Sequence, residues 1–141
     1  MACRFSNLRH DKKAFRRENF RGREGRQNMS NSAKIKGLPA ALVARTAEFV
    51  NYQDGAVVSR EILKKPAGNV TLFAFDEGQG LSEHTAPFDA LVQILEGEAE
   101  IMISGKSYSV PGGGMILLPA GKPHALKAVT RFKMLLTMIR A

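Results

Sequence analysis

An all-β fold with a short helical lead-in is predicted for this 141-residue chain by three features. From Val57 onward apolar and polar residues alternate, the period of strands with one buried face. Turn-forming clusters, KKPAGN, DEGQG, EGE, SGK and PGGG, punctuate that pattern roughly every 8 to 12 residues, the spacing of a sandwich or barrel. The length matches one domain of about 100 to 200 residues, so a single core is expected.

The formal charge of +8 is unevenly distributed. Residues 1–34 hold ten Lys/Arg against three Asp/Glu, a net +7, and residues 35–141 hold eleven against ten, a net +1. The basicity therefore belongs to a leader and not to the body of the protein. Scattered aromatics, many arginines and no period predict that residues 1–34 are disordered. Three readings of the leader stand: a mis-set start whose true first residue is Met29, an inert solvated tail, and an arginine-rich arm for phosphates. The first draws on Arg23-Glu24-Gly25, whose purine-rich codons lie where a ribosome-binding site would. Nucleic acid is the weakest partner candidate, because it would depend on the leader alone.

No apolar run approaches the roughly 18 residues of a membrane span, and the basic N-terminus lacks the apolar stretch of a secretory signal. A cytoplasmic protein is expected. Cys3 is the only cysteine, which excludes an intrachain disulfide and a multi-cysteine zinc site.

Leu38 to Tyr52, LPAALVARTAEFVNY, spaces its apolar residues as a short helix would, with Pro39 tolerated in the first turn. Gln53-Asp54-Gly55 turns the chain into the strands. These are AVVSREIL, VTLFAF, DALVQILEG, EAEIMISG, SYSV, MILLP, ALKAV and RFKMLLTMIR. Residues two apart share a face, so Ala90, Val92 and Ile94 lie opposite Asp89, Leu91, Gln93 and Leu95. The glycines of PGGGM precede no helix and predict a hairpin turn, not a phosphate cradle. Met102, Met115, Met134 and Met138 are read as deformable core filler.

The order Gly78, His84, Gly97, then Gly113, Pro119, Gly121, His124 resembles the two motifs of the cupin superfamily. Those motifs run G-x5-H-x-H-x3,4-E-x6-G and G-x5-P-x-G-x2-H-x3-N. Fifteen residues separate Gly97 from Gly113, as in compact microbial members. The resemblance covers Val57 to Ile139 and implies a jelly-roll barrel over residues 35–141. It also implies a site for one divalent transition metal, held by two histidines and a glutamate of the first motif and a histidine of the second. In this sequence the second histidine is Ala86, the glutamate is Ala90 or Leu91, and the terminal asparagine is Ala128. His84 and His124 remain, with Asp89 or Gln93 as candidate third ligands, though either would have to leave its own face.

Two function classes follow. The first is a cupin-fold protein that binds a small molecule through His84, Phe88, Val92, Ile94, Met102 and His124, its metal site degenerate. The alternative is a metal-dependent enzyme of dioxygenase, isomerase or decarboxylase type using His84 and His124. The family resemblance further implies a homodimer, and nothing in the chain suggests a membrane partner or a Ser/His/Asp triad.

Overall fold

The computed structural model describes residues 37–140. The leader, and with it the question of a start at Met29, lies outside the described residues. Among the described residues nine strands follow a 3-10 turn at Thr46–Glu48: β1 (Val57–Lys65), β2 (Gly68–Phe75), β3 (Gly80–His84), β4 (Phe88–Glu96), β5 (Glu98–Ile103), β6 (Lys106–Pro111), β7 (Met115–Leu118), β8 (His124–Ala128) and β9 (Phe132–Arg140). They form two antiparallel sheets, ordered β1-β2-β9-β4-β7 and β3-β8-β5-β6. This is a cupin jelly roll, and its sheets are not closed into a hydrogen-bonded barrel.

Alternation decides what the sheets bury. Phe75, Val92, Ile94, Ile101, Leu126, Phe132 and Met134 fill the space between them. Phe75 stacks on Phe132 with ring centroids 4.4 Å apart, a contact worth about 1 kcal/mol beyond the area it buries. The five-stranded sheet is apolar on its outer face as well, where Leu72 and Ala74 pack with Val50, Phe49, Leu95 and Leu135. The segment before β1 therefore covers that outer face.

This covering explains why the expected helix over Leu38–Tyr52 is replaced by one 3-10 turn. Leu38 N–H donates to the Ile62 carbonyl at 2.9 Å, Ala41 has φ 60°, and Arg60 lies 3.5 Å over the Phe49 ring. A helix would expose all of its backbone bonds to water while packing few apolar residues; contacts to the sheet win over propensity. Lys133 anchors the same segment. It is buried, donates to the Ala47 carbonyl at 2.6 Å and lies 3.5 Å from Glu96, which also accepts from Tyr52 Oη at 2.9 Å.

Two further departures from the expected pattern concern connections. The strand β3 was not expected, since GLSEH has one apolar residue and lies at a sheet edge with four of its five positions exposed. The PGGG segment is not a hairpin turn but a corner, carrying the chain from β6 in one sheet to β7 in the other. There Gly113 N–H donates to the Ile94 carbonyl and Ile94 N–H to the Gly114 carbonyl, so bare backbone pairs with β4. By contrast Gly97 makes the expected tight turn between β4 and β5. Its φ is +78°, and a Cβ there would lie 1.9 Å from the Arg131 carbonyl oxygen, so only glycine fits.

Candidate functional site

His84 ends β3 and His124 begins β8, and the two are register partners. Between Leu81↔Leu126 and His84↔His124 the register slips, with three steps on β3 against two on β8. That bulge reverses the alternation of β3. Leu81 packs against the core, so an unbroken strand would send Glu83 inward and His84 outward. With the extra residue, His84 shares the face of His124, and the rings meet edge to face with centroids 4.4 Å apart.

His124 is itself aimed inward, since β8 buries His124, Leu126 and Ala128 and exposes Lys127. The loop before it is tied from three sides. Ala120 N–H donates to Asp89 Oδ1 at 2.9 Å, Gly121 N–H to the Ala86 carbonyl at 2.9 Å, and Ser104 N–H to the Pro123 carbonyl at 2.8 Å. The proline-flanked segment thus holds one direction, as its sequence suggests.

Backbone carbonyls assign the tautomers. His84 Nδ1 lies 2.7 Å from the Ser82 carbonyl oxygen, and His124 Nδ1 lies 3.2 Å from that of Lys122. A carbonyl can only accept, so each Nδ1 carries a proton, and in the neutral ring Nε2 is then the acceptor. Burial holds the His124 imidazole below its ordinary pKa, the Lys122 carbonyl opposes this, and the neighbouring His84 adds to the depression. His124 is therefore a neutral acceptor near pH 7. His84 is exposed and His124 is 7% exposed, which places one ring at the surface and the other behind it.

Other candidate residues divide. Phe88 opens β4 on the inward parity and is half-buried, at the same end of the sandwich as the histidines. Val92 and Ile94 are buried within the central core. Met102 lies on the outer face of β5, exposed between the buried Ile101 and the half-buried Ile103. Gln93 shares the outward parity of Leu95, which packs in the outer cluster. Asp89 is occupied by Ala120 N–H. Neither Asp89 nor Gln93 joins the two histidines, because β4 keeps its alternation from Phe88 to Ile94.

Ala90, at a ligand position of the cupin pattern, is buried and inward, and Ala86 offers the pair no side-chain donor. Among the described residues no group of three or more His, Cys, Asp or Glu could hold a metal ion. Two imidazoles fall short of the three or four ligands of ordinary zinc sites and of the two histidines plus carboxylate of oxygen-activating iron. The donor set does not fit a resident divalent metal.

Asn69 is the inward polar residue that sequence reading missed. It lies in β2 on the parity of Phe73 and Phe75, and its Oδ1 is buried with no hydrogen-bond partner. KKPAGN reads as a turn, and only the pairing Asn69↔Met138 with β9 reveals that its last residue is already in a strand.

Two stacked antiparallel sheets with a histidine from β3 and another from β8 facing between them define a small cupin-fold protein. The chain belongs to the family described as AraC-like ligand binding domain, which it matches over residues 67–139. It is similar to a conserved protein of unknown function from Streptococcus pyogenes, at 37% identity and TM-score 0.72 over 76% of this chain and 94% of that one. A cupin 2 conserved barrel domain protein from Leptotrichia buccalis is 41% identical, with TM-score 0.65 over 67% of this chain; the match spans only 46% of that longer protein. A cupin superfamily protein from Desulfitobacterium hafniense is 28% identical, with TM-score 0.71 over 77% of this chain and 99% of its own. No curated protein matches the chain. No described helix is long and apolar enough to cross a membrane.

Proposed function

We propose that this protein binds a small organic molecule between its sheets through His84 and His124, without a resident metal. The observation that carries this reading is the histidine pair itself. A bulge turns His84 inward beside His124, and both Nδ1 atoms are committed to carbonyls, leaving two adjacent Nε2 acceptors. Few fixed polar groups set in an apolar wall are the usual build of a small-ligand site, and Phe88 with Leu136, Met138 and Ile103 supplies such a wall. The family's description as a ligand-binding domain supports the same reading.

The protein is proposed to act in the cytoplasm as a homodimer. The dimer is supported by Met115, Leu117 and Ile139, which are 68%, 55% and 60% exposed on the outer face of the five-stranded sheet. Exposed apolar residues gathered on one sheet face are the kind of surface that a partner covers.

The decisive experiment joins metal analysis to mass spectrometry of small molecules released on denaturing the purified protein. Substoichiometric metal is expected, together with a small molecule carried by the wild type and lost from both His84→Ala and His124→Ala. Stoichiometric metal that disappears in either variant would instead favour a metal-dependent enzyme. Added zinc, nickel, manganese or iron(II) should leave the wild-type melting temperature unchanged, since a ligand of the native state raises it.

A further inference from the structure

Asn69 supplies a polar atom whose burial needs explaining. Burying a carbonyl oxygen without a donor is costly, and native proteins contain few such atoms. Among the described residues the buried side-chain oxygen or nitrogen without a partner is Asn69 Oδ1. His124 also has an unpartnered Nε2, but that atom is not among the buried ones, so solvent reaches it.

Register places Asn69 at the histidine end of the molecule. Asn69 pairs with Met138, Met138 with Ala90, and Ala90 with Leu118, which makes one row across the five-stranded sheet. The chain leaves this row for the other sheet through residues 85–87, next to His84, and through residues 119–123, next to His124. On one flank of the sandwich β4, the neighbour of edge strand β7, touches edge strand β6, so β1 and β2 fall on the side of β3 and β8. Asn69, His84 and His124 therefore come from facing sheets toward one end of one interior.

We infer that Asn69 is a third recognition residue of this site, and that the ligand is a compact, uncharged, largely apolar molecule carrying two or three hydroxyl or N–H donors. The inference rests on the binding reading above and names its ligand class. Three acceptors, Asn69 Oδ1 and two imidazole Nε2, call for donors. An anion would meet those lone pairs and a neutral buried imidazole. A cation would find no carboxylate grouped with the two histidines among the described residues. The flanking charges Glu61, Lys64 and Arg140 are exposed and of mixed sign. The residues paired with two of the acceptors are apolar: Met138 opposite Asn69 and Ile103 opposite His124 both pack on the core.

Catechol and 1,2-dimethoxybenzene test this with one ring shape, with and without donors, and benzoate adds a charge. Calorimetric titration of the wild type should show catechol binding and the dimethoxy compound and benzoate binding at least tenfold more weakly. Asn69→Leu should weaken catechol about three- to tenfold, the share of one hydrogen bond, while its melting temperature stays level or rises because the unpaired oxygen is gone. A fall in melting temperature with unchanged affinity would make Asn69 structural and overturn the assignment. Equal binding of all three probes, tighter binding of benzoate, or no binding of catechol would overturn the ligand class. The broader reading fails separately, when no co-purified molecule depends on His84 or His124.

Discussion

Proton uptake by His124 ties its position to stability. Its folded pKa lies below the ordinary 6.5, chiefly because of burial, so the unfolded chain binds the proton more readily. Stability is then fully present above about pH 6.5 and is lost as pH falls from there through the depressed folded value. Urea midpoints of the wild type should drop between pH 7.5 and 5.5, and His124→Gln should flatten that drop; an equal slope in the variant would contradict the account. Asp76 acts in a different window. Its carboxyl is held below 3.8, first by the Gly55 N–H and then by Arg131, so its contribution is lost only at more acid pH. The histidines and motif glycines are legible in the sequence because turns and ligands need specific residue types. That Asn69 faces inward is not, because an Asn after Pro-Ala-Gly is read as a turn until its strand partner is known.

At the scale of elements, eight of the nine strands follow from alternation and turn chemistry, whereas β3 and the lead-in do not. Edge strand β3 lacks the apolar content that marks a strand, and it is held by hydrogen bonds to β8. In the lead-in, near-helical spacing is overridden by contact with the outer sheet face, and its apolar packing comes from its last residues, Phe49, Val50 and Tyr52. Val50 is 3% exposed on Leu72 and Ala74, while Leu42 is 49% exposed. Val50→Ala should therefore cost about 2 kcal/mol from lost burial and the void left behind. Leu42→Ala should cost under about 0.5 kcal/mol, as exposed sites do. Denaturant unfolding compares them directly, and similar losses would point to a packed helix instead of an anchored strap.

For the whole molecule, the five-stranded sheet is covered unevenly. The lead-in packs over β1, β2, β9 and the C-terminal end of β4, whereas Met115 and Leu117 on edge strand β7 stay exposed. If this face joins two copies, Met115→Lys with Leu117→Lys should convert a dimer to a monomer in sedimentation velocity. Both side chains point away from the core, so the variant should remain folded. A wild type that sediments as a monomer at high concentration would remove the dimer proposal.

The sequence by itself determined the all-β class, the order of nearly all strands, the tight glycine turns and the two histidines. Each of these is local: a period of two, a backbone conformation open to glycine, or a residue type at a fixed spacing. Only the tertiary structure decided which faces meet. The bulge in β3 depends on pairing with β8, the burial of Asn69 on pairing with β9, and the fate of Asp89 on a loop 31 residues away. Side-chain direction in a strand reverses with a shift of one residue, and that shift is set by long-range partners that no local pattern encodes.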